Sequence, residues 1–70
     1  MFYWFKRGSE SLHYEVRETS STRFEMTITG PDGIEHLEVY ETADALHRRQ
    51  LELERELTAA GWVGPHGWNL

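Results

Sequence analysis

Cysteine is absent from this 70-residue chain, which excludes disulfides and thiolate metal sites. A chain of this length makes one domain at most, burying only about 60% of the surface its unfolded form exposes. Domains this small commonly draw on disulfides, a metal or a partner subunit. With cross-links excluded, dense aromatic packing and oligomerisation are the remaining sources of stability. The lack of cysteine also fits a reducing compartment.

Positive charge is the second scarcity. Seven Lys and Arg stand against twelve Asp and Glu, for a net charge of −5. Such a chain is repelled by phosphate backbones unless its cations cluster. Lys6-Arg7, Arg17 with Arg23, and Arg48-Arg49 are local concentrations that form no continuous stripe. The balance therefore argues against nucleic acid as a partner. No apolar run approaches the roughly 20 residues of a membrane span. Residues 1–7 run from apolar to basic, the reverse of a signal peptide. The expectation is a cytoplasmic protein with no membrane partner.

Chemistry-bearing motifs are scarce as well. The sequence has no serine in a strand–helix elbow, no glycine-rich phosphate loop with its lysine, and no carboxylate pair in a recognisable cleft. His13-x-Glu15 and His36-x-Glu38 each place an imidazole and a carboxylate on one face of a strand. In a meander these pairs stand roughly 10 Å apart on strands two and four. Their side chains project in parallel, whereas zinc needs three or four converging ligands. No catalytic residue, metal ligand or cofactor is assigned, and the chain is read as non-enzymatic.

What is present is aromatic residues and alternation. Phe, Tyr and Trp occur three times each, and each ring can bury roughly 150–250 Å². Phe2 to Lys6 has high β-propensity and ends at a turn, Arg7-Gly8-Ser9-Glu10. Leu12–Arg17 and Arg23–Thr29 alternate apolar with polar, the signature of strands with one buried face. Gly30-Pro31-Asp32-Gly33 is the strongest turn signal, with Pro31 presetting φ and Gly33 tolerating positive φ.

Register then follows from parity. A three-residue loop would pair Ile28 with His36 and put His36 on the apolar face. A four-residue loop pairs Met26 with Leu37 and Phe24 with Val39. Because a one-residue slip reverses every side chain, the even loop is expected. In the preceding hairpin, pairing Arg17 with Glu25 avoids like charges directly opposite.

Thr42 is a suitable N-cap with Asp44 in the first turn. Ala43, Leu46, Gln50, Leu53, Leu57 and Ala60 form one helical stripe. Gly61 follows as the cap, with Trp62 placed against Leu57. The expected fold is α+β: a four-stranded antiparallel β-meander with one C-terminal α-helix on one face, in the order ββββα. Residues 1–63 form the domain and residues 64–70 a tail containing Gly and Trp.

One helix covers one sheet face, yet strand one is aromatic on both. The expected interface comprises Tyr3, Phe5, Tyr40, Leu51 and Trp68, in a homodimer formed through the strand-one face or edge, with a further protein partner allowed. The alternative is single-stranded nucleic acid bound by the open sheet face, stacking on Tyr3, Phe5 and Tyr40 with Arg17 and Arg23 on phosphates. The ββββα order resembles, in topology only, the single-strand-binding coactivator and whirly-type folds, which work as dimers.

Overall fold

The computed structural model describes residues 1–68, Trp68 by its backbone alone. The elements are β1 (Phe2–Arg7), β2 (Glu10–Ser20), β3 (Arg23–Thr29), β4 (Glu35–Tyr40), α1 (Ala43–Ala59) and β5 (Val63–Trp68). They form an α+β fold with one antiparallel sheet in the order β4-β3-β2-β1-β5. The first four strands are the expected meander. The fifth is a correction: most of the segment read as a tail pairs with β1, so the sheet has five strands rather than four.

A helix makes this order possible. At about 1.5 Å per residue, the 17 residues of α1 span about 25 Å. That exceeds the roughly 19 Å between the outer strands of a five-stranded sheet. The chain thus leaves β4 at one edge, crosses the sheet as α1, and re-enters as β5 at the other.

Both helix ends are built as their sequences indicate. The Thr42 hydroxyl accepts from the Ala45 N–H at 3.1 Å. At the C-terminus, Gly61 N–H donates to Thr58 O and Trp62 N–H to Leu57 O, the paired bonds of a Schellman motif. The last turn lacks a basic residue of its own. Arg7, from the β1–β2 hairpin, reaches the Ala60 carbonyl at 3.1 Å and lies 4.6 Å over the Trp62 ring.

The core is Phe5, Leu12, Tyr14 and Met26 from the sheet against Leu46, Leu53, Leu57 and Trp62. Phe5, Tyr14 and Met26 are completely buried, and burying a side chain of this size stabilises by about 1.5–3 kcal/mol. The Tyr14 hydroxyl donates to Glu54 at 3.1 Å. Burial pushes the Tyr14 phenol up, and the neighbouring Glu54 carboxylate adds to this while a hydrogen bond with Gln50 opposes it.

The β2–β3 register is as expected, with Arg17 opposite Glu25, and a bulge near Thr19 carries Ser20 to Arg23. The β3–β4 register is not. Ile28 pairs with His36, Met26 with Glu38, and Phe24 with Tyr40, so the loop is the three-residue Pro31-Asp32-Gly33. Turn chemistry explains why. Gly33 N–H donates to Gly30 O, Gly33 has φ +81°, and Gly30 N–H donates to Ile34 O. This is a type I turn followed by a left-handed glycine, the usual three-residue hairpin. Asp32 secures it by accepting the Ile34 N–H at 3.0 Å.

Candidate interaction surface

The shifted register turns β4 over. His36, Glu38 and Tyr40 face the helix side, and Leu37 and Val39 face the side without a helix. The polar side chains are accommodated by one another. Arg49 of α1 donates to both Glu38 oxygens, Nε at 2.9 Å and Nη2 at 3.3 Å. The Tyr40 hydroxyl donates to the same carboxylate at 2.5 Å, and His36 Nε2 lies 3.3 Å from it. Burial opposes ionisation of Glu38, but the Arg49 and Tyr40 hydrogen bonds outweigh it and hold the carboxyl below its ordinary value. Burial and the adjacent Glu38 raise the Tyr40 phenol.

Hairpin geometry places the strand-one aromatics. Arg7 pairs with Glu10 across Gly8-Ser9, so Tyr3 lies opposite Tyr14 and Phe5 opposite Leu12. Tyr3 stacks on Tyr14 at 5.0 Å, and Phe5 is 0% exposed. Both therefore belong to the helix side, as does Tyr40. The expectation that these three line the open face is corrected: Phe5 is closed to any partner in this structure. Leu51 is exposed, as its position off the helical stripe suggests. The Trp68 side chain lies outside the described residues. Arg17 and Arg23 do sit on the open face, but Arg17 is 3.5 Å from Glu15 and Arg23 2.8 Å from Glu25.

Among the described side chains, the aromatic residues that do face the open side are Phe2 and Trp4. Phe2 lies 4.8 Å from the His13 ring, and Trp4 stacks on His66 of β5 at 4.3 Å. Lys6 stands 5.9 Å over the Trp4 ring. Phe2, Trp4, Lys6, Ser11 and His13 line a shallow depression of about 370 Å³. The Trp4 indole N–H is buried there without a hydrogen-bond partner among the described residues. At the far side of the same face Leu37 is 53% and Val39 44% exposed.

The sequence signal for Phe2 and Trp4 was the two-residue Gly8-Ser9 loop, whose parity sends Phe5 and Tyr3 inward. For Leu37 and Val39 it was the Pro-Asp-Gly turn. The expected availability of the strand-one edge is also corrected, because β5 occupies it.

The two His-x-Glu pairs lie on opposite faces, His13 and Glu15 on the open side and Glu38 on the helix side with His36 at its exposed rim. Among the described residues no three His, Asp or Glu side chains gather to hold a metal. No helix among them is long and apolar enough to cross a membrane.

Comparison with known proteins adds no family: no family model, curated protein or solved structure matches the chain.

Proposed function

We propose that the chain is a small non-enzymatic interaction module that self-associates, and that its contact surface lies on the helix-free side of the sheet. The observation that carries this reading is the pair Leu37 and Val39, apolar, exposed and turned away from the core. Exposed contiguous apolar patches on small proteins usually mark interaction sites. Charge is compatible with self-association there. On the strands of this face Lys6, Arg17 and Arg23 stand against Glu15, Glu25 and Glu35, although the whole chain carries −5. The cysteine-free composition is compatible with a cytoplasmic setting.

Light scattering over a dilution series tests the reading, with a dimer mass at high concentration as the expected outcome. A monomer at every concentration overturns it.

A second reading has its own observation. Phe2, Trp4 and Lys6 share the open face with Arg17 and Arg23, the ring-plus-cation combination that binds single-stranded nucleic acid. Arg17 and Arg23 are already partnered by Glu15 and Glu25, which weakens it. Adding short single-stranded oligonucleotides at low salt to the same dilution series separates the two. Binding that falls steeply with added salt would favour the second.

A further inference from the structure

The two sheet edges are not equally protected, and the difference points to one of them. Backbone hydrogen bonds alternate in antiparallel pairs, so each residue turns both its N–H and C=O toward one neighbour. The Gly30 N–H donates to Ile34 O at 3.2 Å. Residues 34, 36, 38 and 40 therefore bond inward to β3, while Glu35, Leu37 and Val39 direct their backbone groups outward. At the other edge, the Met1 and Val16 backbones exchange bonds at 2.9 and 3.0 Å. By the same alternation, Phe2 and Trp4 bond to β5, and Pro65 and Gly67 are the outward positions there. Proline has no N–H, a recognised way of blunting an edge. β4 carries neither proline nor lysine. Its one inward-facing carboxylate, Glu38, is partnered by Arg49 and Tyr40.

We infer that the β4 edge pairs antiparallel with β4 of a second copy, joining two sheets into one of ten strands with both helices on the same side. This rests on the reading that the chain self-associates, and it names the edge by which it does so.

A two-fold axis centred on a residue keeps the faces aligned. Centring on His36 would set Val39 against Gly33 of the turn, which leaves three further registers. Centring on Glu38 sets Glu38 against itself and Glu35 against Glu41, and like charges directly opposite are unfavourable. Centring on Val39 runs the pairing past the end of β4 at Tyr40, into the Thr42 cap. Centring on Leu37 uses the whole strand. It places Leu37 against Leu37 of the second copy, Glu35 against Val39, His36 against Glu38 and Ile34 against Tyr40. No like charges meet. The exposed Ile34, Leu37 and Val39 all gain neighbours, and the register adds a His–Glu pair across the junction. Charge and strand length both select this register.

Three variants and one exchange measurement test the inference. Leu37→Pro removes an outward N–H without touching the β3 ladder. It should weaken the dimer at least 100-fold in light scattering while the circular dichroism stays native. Leu37→Thr keeps that N–H and should weaken it less than tenfold. Trp4→Glu changes the distant aromatic cluster and should leave the mass unchanged. In the unaltered chain, the Leu37 amide should be protected from hydrogen exchange at dimer concentrations and lose that protection on dilution.

A Leu37 amide that exchanges freely in the dimer overturns the inference even if Leu37→Pro fails to fold. Dissociation by Trp4→Glu but not by Leu37→Pro also overturns it, while preserving the proposal of an interaction module. A monomer at all concentrations overturns both.

Discussion

Gly64 is where a single atom decides whether the fifth strand can lie against the core. Its φ is +154°, and a Cβ there would stand 2.7 Å from a Phe5 ring carbon and 2.9 Å from the Trp4 carbonyl oxygen. Neither neighbour can retreat easily, because Phe5 is fully buried and the Trp4 carbonyl belongs to the sheet. Gly64→Ala combines backbone strain with overpacking and should destabilise by about 2–4 kcal/mol. Urea melts should show a lower midpoint with an unchanged slope. A loss below about 0.5 kcal/mol would mean that β5 is not held against Phe5 as described. This constraint was hard to read beforehand. Gly64-Pro65 and Gly67 look like a loop, since both residue types weaken a strand. The bulge opposite Phe5 is what admits them to an edge position.

At the scale of elements, β4 shows how two local rules can disagree. Binary patterning assigns Leu37 and Val39 inward, whereas Pro31-Asp32-Gly33 specifies a three-residue turn that sends them outward. The turn prevails because the inward-facing polar residues lose little by burial: Glu38 finds Arg49 and Tyr40, and His36 stays near solvent at the rim. Most of helix α1 was legible, since its Thr42 cap, leucine stripe and Gly61-Trp62 ending act locally, although Ala43 and Ala60, read as the ends of that stripe, are exposed. The β2–β3 register was legible from charge. Long-range partners such as Arg49 for Glu38, or Arg7 for the helix C-terminus, have no sequence signature.

The Glu38 cluster makes a pH prediction. Its folded carboxyl titrates below the ordinary 4.5, so it contributes stability above that pH and loses it as pH falls through the folded value. Glu38→Gln should cost about 1–2 kcal/mol near neutral pH, in line with hydrogen bonds to charged groups. Below about pH 4 the cost should shrink. Urea melts of both proteins at pH 7 and 3.5 would check this, and an equal cost at both would place the stabilisation in packing rather than charge.

For the whole molecule, the question is whether a chain this small is stable by itself. Among the described residues its core has only eight buried hydrophobic side chains, and no disulfide reinforces it. If pairing along β4 contributes stability, unfolding is linked to dissociation, and the melting temperature must depend on concentration. Tenfold dilution weakens a dimer by about 1.4 kcal/mol, or about 0.7 kcal/mol per chain. For a domain near this size that lowers the melting temperature by about 3–6 °C. Leu37→Pro should melt at one temperature across the same range. That temperature should approach the parent's at high dilution, because the variant loses the partner but keeps the β3 ladder. If the parent's melting temperature is also independent of concentration, the monomer is sufficient, and its exposed β4 apolar residues await a partner other than a second copy.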